Sequence, residues 1–354
     1  MSPPRPSALP RPRRPDRAPV AVLTLLLILW LASVPLACLF GPVPLEPGDV
    51  LHALLGTGGD AAGLSAEAAR TVVVDIRLAR TVLALLVGGS LALAGVAMQG
   101  VLHNPLAEPF LLGVSSGAAL GAGLVLCSGT LLAAGGHWST AEGAMLGSFL
   151  ALGLSLALGR GGGRDRLILA GVAVSTMFGA GVSLLKALDE ESVSGIVFWI
   201  MGSFQGRGWN DVPVALIPSL LGLVLLIPCW RALDVLIMGD RDAVHLGVDV
   251  RRARLAILLG AGCLTAGGVA VSGIIGFVGL VAPHILRRLI GPWHGPLFAA
   301  AWLAGGIFLL WADVAARCLL PHGLELPVGV ITSLVGGPFF AVVLRAGTRS
   351  GARR

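Results

Sequence analysis

From Val20 onward the chain keeps returning to apolar runs as long as the roughly 20 residues an α-helix needs to cross a ~30 Å hydrocarbon core. Backbone amides find no water there, so runs of this length fold as helices whose hydrogen bonds close within the segment. Composition points the same way. Of the 354 residues 55% are hydrophobic and only 12% charged, with a mean hydropathy of +0.88, which leaves too little charge to cover a water-facing surface. The expected fold class is an all-α polytopic membrane protein. Its 51 glycines and many alanines read as close helix packing, with GAALG at 117–121 and GAMLG at 143–147 as small-xxx-small examples.

Spans are expected at residues 20–40, 76–101, 109–128, 140–159, 167–188, 212–231, 254–273, 274–290, 295–317 and 327–345, about ten in all. The first exceeds a secretory apolar core, and Pro35-Leu36-Ala37-Cys38 lacks the leucine of a lipoprotein site. If the N-terminus is cytoplasmic, nineteen basic residues fall on inner segments and six on outer ones, the bias that sets orientation. Both termini are then cytoplasmic in a multi-pass cell membrane protein. Residues 1–19, rich in Pro and Arg, are expected to form a disordered basic tail, 20–346 the membrane domain and 347–354 a second tail. The net charge of +6 lies in loops between spans, so it reports topology and not nucleic acid. The five cysteines are scattered, with no metal spacing. Between spans 5 and 6, the apolar stretch 196–201 within the outer segment 189–211 suits a short helix at the surface.

One inner segment departs from all the others. Residues 231–254 hold nine charges in 24 positions, interleaved with Val235, Leu236, Ile237, Met238, Ala243, Val244, Leu246 and Val248. This suits two short amphipathic helices broken at Gly239, the second capped by Asp240 and ended by Gly247. The segment is either a solvated loop or a docking surface for a cytosolic partner, and its cytoplasmic placement favours docking.

Catalytic patterns are weak. There is no GxxxxGK[ST] and the only lysine is Lys186, so the chain itself does not hydrolyse nucleotide through a P-loop. No HExxH occurs, and the GxSxG at 113–117 lies at the start of a membrane helix, where small residues pack. More telling are charges in costly positions. Arg77 and Arg80 stand at the outer, N-terminal end of span 2, against both the charge bias and the helix dipole, and call for compensation by lipid phosphates or by an acidic partner from outside. Arg317 ends span 9, where the dipole favours a cation. Asp313 inside that span requires a partner that sequence does not identify. His103-Asn104-Pro105-Leu106-Ala107-Glu108-Pro109 makes a rigid inner turn, a connector or a constriction, and Glu325 stands at the start of the last span.

Residues 77–122 (RLARTVLALLVGGSLALAGVAMQGVLHNPLAEPFLLGVSSGAALGA), 198–204 (FWIMGSF), 276–287 (GFVGLVAPHILR) and 312–340 (ADVAARCLLPHGLELPVGVITSLVGGPFF) resemble, in order, the motifs of the permease subunits of ABC importers for ferric siderophores, haem and cobalamin, the FecCD/BtuC type. The resemblance covers residues 20–347. It implies a type II ABC importer permease of ten helices that pairs with an identical or paralogous permease in the bacterial cell membrane. The translocation path then lies between the two copies, with two cytosolic ATPase subunits binding ATP and Mg below, a substrate-binding protein above, and no cofactor in this chain. By motif, Arg77, Arg80 and Arg317 would meet acidic residues of the binding protein, and Asn104 and Leu106 would form a cytoplasmic gate. Within the coupling segment 232–254, Gly239, Asp240, Arg241, Ala243, Leu246 and Gly247 would seat in the ATPase. RLAR departs from the usual RLPR, and the N-terminal tail is longer than usual. Ferric siderophore is the expected cargo, with cobalamin or haem as alternatives. A secondary transporter, which Asp313 alone favours, and a serine hydrolase resting on GVSSG are the competing classes.

Overall fold

The computed structural model describes residues 17–57, 65–131, 139–321 and 323–351, and every regular element among them is helical. Residues 1–16 of the expected basic tail, His322, and residues 352–354 lie outside the described residues. In order the α-helices are α1 (Arg17–Leu39), α2 (Pro47–Leu55), α3 (Ala66–Arg70), α4 (Ala79–Leu102), α5 (Val114–Leu131), α6 (Thr140–Leu158), α7 (Arg164–Leu188), α8 (Val193–Met201), α9 (Val212–Leu226), α10 (Trp230–Leu236), α11 (Asp240–His245), α12 (Val250–Ser272), α13 (Val278–Ile290), α14 (His294–Cys318) and α15 (Val328–Gly351). Seven continuous helical stretches are long and apolar enough to cross a bilayer, and Val114–Cys127 and Val328–Val343 are shorter apolar ones. With α13 they fall on the ten expected spans.

Boundaries move where local chemistry outweighs hydropathy. The second span starts ten residues earlier than expected, because Ser65 caps α3 by accepting from the Ala68 amide at 3.3 Å and a wide π-helical stretch, Thr71–Leu78, carries α3 into α4. The third span begins at Val114, after a 3-10 turn that closes on Gly113 at φ 76°. Helix α1 starts at Arg17 and α15 runs to Gly351, so helix extends into both expected tails.

Helix α4 is the axis of the bundle. It packs on α14, α12, α13 and α9, and 89% of its most apolar window is buried, against 17% for α1. A Cβ on Gly88 would fall 2.3 Å from the Gly305 carbonyl, so α4 and α14 touch backbone to backbone. The two small-residue motifs read from sequence prove to be partners: Cβ atoms on Gly117 and Gly121 would lie 2.2 and 2.0 Å from the carbonyls of Gly147 and Gly143, locking α5 to α6. Helix α8 is the expected short helix, with Ile196 buried and Phe198 exposed.

Candidate functional site

At one end of the bundle Arg77, Arg80 and Arg317 are buried, 2%, 5% and 3% exposed. Helix α1 ends beside them, and its last carbonyls, at the negative end of its dipole, need partners from outside the helix. Arg77 donates to the carbonyls of Cys38 (2.8 Å), Leu39 (3.3 Å) and Val43, and Arg317 to that of Ala37 (3.4 Å). Arg80 grips Asp313 through Nε and Nη2, at 2.8–3.0 Å, and reaches Glu325 through Nη1 at 2.8 Å. Arg317 closes the group 3.5 Å from Asp313. Asp313 thus acquires the partner that sequence left open. The compensation sought from lipid or from an outside protein comes instead from within the chain, because the wide turn before α4 brings both arginines into the α1–α14 seam. The group joins α1, α4, α14 and the loop before α15. It holds three guanidiniums against two carboxylates.

The turn carrying Asn104 and Leu106 lies at the opposite end. His103 ends α4 in the left-handed region at φ 50°, and Asn104 then folds the chain back by accepting from the Leu106 amide through its side chain (2.9 Å) and from the Ala107 amide through its carbonyl (3.0 Å). Ala107 is buried and Leu106 is presented at 39% exposure. The adjoining Glu108 accepts from the Phe277 amide at 3.2 Å, and Phe277 is the only other described non-glycine at positive φ. Glu108, Phe110, Ile200, Ile274, Gly276 and Val330 contribute to a cleft of about 590 Å³ between this turn, α8 and α15.

Beside that turn, the charged segment is a hairpin of α10 and α11 broken at Gly239 (φ 121°) and stopped at Gly247 (φ 83°). Asp240 does not cap α11 as expected: Gly239 occupies the cap position, and the Asp240 carboxylate instead accepts from Arg254 of α12 at 2.9 and 3.0 Å. Asp234 of α10 accepts both the backbone N–H and Nδ1 of His294, at 2.9 and 2.6 Å, which places a carboxylate at the N-terminus of α14. The hairpin is therefore fastened to two spans. Its inner face buries Leu233, Leu236 and Ala243, and its outer face shows Ile237, Met238, Val244 and Leu246 at 51–65% exposure, with Arg241 exposed among them.

The fold brings the hairpin and the turn together at one end and gathers the three arginines at the other. Sequence reasoning misses the ties between them. Gln99, a polar residue in an apolar span, donates to the Gly279 carbonyl (2.9 Å) and accepts from Arg287. That signal was readable, as was Asp234 as the lone acid of WRALDVL. Nothing in GFVG announces that Phe277 adopts a left-handed conformation.

The sequence profile of the FecCD transport family matches residues 25–346. Over 279 residues the chain is 39% identical to the cobalamin import system permease protein BtuC of Halobacterium salinarum, covering 79% of this chain and 74% of that protein. It is 42% identical to the hemin transport system permease protein HmuU of Yersinia pestis, covering 75% and 81%. Among solved structures, an inward-facing metal-chelate type ABC transporter superposes with a TM-score of 0.77 at 31% identity, over 92% of this chain and 99% of that one.

Proposed function

The chain belongs to the FecCD transport family and is a transmembrane permease of the ABC importer type, and from that premise we propose that it imports a ferric siderophore, driven by ATP hydrolysis on a separate subunit. The observation that carries the ATP-driven part is the hairpin of α10 and α11. It shows an apolar outer face while Asp234 and Asp240 bolt it to α14 and α12. A solvated loop needs neither feature. Seated in a cytosolic ATPase, the hairpin would carry displacement straight into α12, α14 and the adjoining Asn104–Leu106 turn, biasing a two-state gate. Gly239, Asp240, Arg241, Ala243, Leu246 and Gly247 make or shape that surface.

On this reading the hairpin end and both termini are cytoplasmic, and a second permease pairs across the cleft that holds Glu108. An apolar cleft with one carboxylate suits a bulky chelate better than a hydrated ion, and the cobalamin and hemin permeases above are named for cargo of that size. The binding protein docks at the other end. There the excess of one guanidinium over the two carboxylates attracts an acidic partner, which exchanges with Asp313 and Glu325 for Arg80 and Arg317.

The test is uptake by a strain lacking this chain, supplied with iron as several ferric siderophores, labelled haem or labelled cobalamin. Loss confined to a siderophore and restored by the wild-type chain is expected. Loss of cobalamin or haem alone would overturn the cargo and leave the permease.

A further inference from the structure

The ends of α6, α7 and α12 enclose a cleft of about 740 Å³ that lies outside the proposed path and borders the hairpin only through Arg254. Its polar rim is Arg160, Arg164, Arg251 and Arg254, and its floor includes Leu167 and Leu258. Among the described residues only Arg254 of these four has an acidic partner, Asp240, and its Nε is buried with no hydrogen-bond partner at all. The nearby Asp249 is engaged by Arg252, outside the cleft. Four arginines thus line a largely apolar cleft at the level where three apolar spans begin or end. Leu255, on the cleft wall, is about half exposed.

A water-soluble anion would satisfy the arginines but leave the apolar walls of the cleft, Leu156, Leu167, Val250, Leu255 and Leu258, without an apolar occupant. A diacyl phospholipid satisfies both, its phosphate taking the forks and its acyl chains the leucines. We infer that this cleft is a binding site for an anionic phospholipid, of the phosphatidylglycerol class, bound by Arg160, Arg164 and Arg251 with the unsatisfied Nε of Arg254. The inference does not depend on the cargo. It requires only that this end of the bundle meet a lipid headgroup layer.

The test is native mass spectrometry of the full-length chain released from nanodiscs of equal dioleoyl phosphatidylglycerol and phosphatidylcholine, with the triple variant Arg160→Gln, Arg164→Gln, Arg251→Gln beside it. Arg254 is left intact because it anchors the hairpin. The wild type should retain phosphatidylglycerol over phosphatidylcholine by on the order of tenfold, and the triple variant by little or none. Equal retention by the wild type, or an unchanged preference in the variant, would overturn the site. Displacement of the lipid by millimolar inorganic phosphate would make it a phosphate site and equally overturn the proposal. Should the triple variant fail to fold, Arg251→Gln alone, at an exposed position, should lower the preference severalfold, and no change would count against the site. A photo-crosslinking side chain replacing Arg251 in cells should yield an adduct of phospholipid mass. An adduct of protein mass would mean that a subunit covers the cleft, contradicting a lipid occupant.

Discussion

Asp313 receives both Arg80 and Arg317, and removing its charge strands two guanidiniums in a seam from which water is excluded. Breaking one side of a buried ion pair costs about 3–5 kcal/mol, whereas replacing both sides by apolar groups is often neutral. Asp313→Asn should therefore lower the melting temperature of the purified chain markedly, and replacing the whole group together, Arg80→Met, Arg317→Met, Asp313→Leu and Glu325→Gln, should recover part of that loss. A quadruple variant worse than the single would show that the group does more than neutralise itself. His103 offers a different reading of charge at the other end. Burial first, and then the nearby positive charge of Arg164, hold its imidazole below the ordinary 6.5. Below that pH the unfolded chain takes up a proton that the folded one refuses, so stability is full above about 6.5 and falls as the pH drops through the folded value. His103→Gln should flatten that decline in a melting series from pH 7.5 to 5. An unchanged slope would assign the acid sensitivity to other groups.

Two elements carry most of the mechanical argument. The α5–α6 pair meets through glycines, and Gly121→Leu would drive a side chain into the Gly143 carbonyl 2.0 Å away. Overpacking of this kind costs about 1–3 kcal/mol or more and, with backbone as the obstacle, should shift the helices apart, readable as a lower melting temperature and loss of uptake together. The hairpin of α10 and α11 makes the opposite expectation. Val244→Asp with Leu246→Asp alters only side chains on its exposed face, so the melting temperature should hold within about 0.5 kcal/mol while co-purification of the ATPase is lost. Retained co-purification would remove the hairpin from the coupling role. Both elements are visible in sequence, the first as two separate small-xxx-small motifs whose pairing only the fold reveals and the second as an island of charge. What sequence could not give was their attachment. Asp240 reads as a helix cap until the fold places Arg254 within reach, and Arg77 reads as exposed until α1 is seen to end beside it. Local rules describe a residue's neighbours along the chain, and these partners lie 14 and 39 positions away.

Across the whole molecule, a buried charge group at one end and a bolted hairpin at the other are joined by α4, α12 and α14, the spans that form the core of the bundle. That arrangement suits a machine driven from the hairpin end and triggered at the arginine end. Hydropathy alone reveals the spans, and the resemblance carried by RLAR, HNPLAEP and ADVAAR implies roles for both ends. The burial of the arginines was illegible because it depends on helix pairs that no single segment specifies. On the proposed function, ATP and not an ion gradient drives transport through this chain. The most direct measurement places the chain in proteoliposomes with its ATPase and binding protein and follows uptake of radio-iron siderophore. Uptake should require ATP and the binding protein and vanish with Val244→Asp and Leu246→Asp. Uptake driven by a proton or sodium gradient without the ATPase would contradict the account and make the chain a secondary transporter.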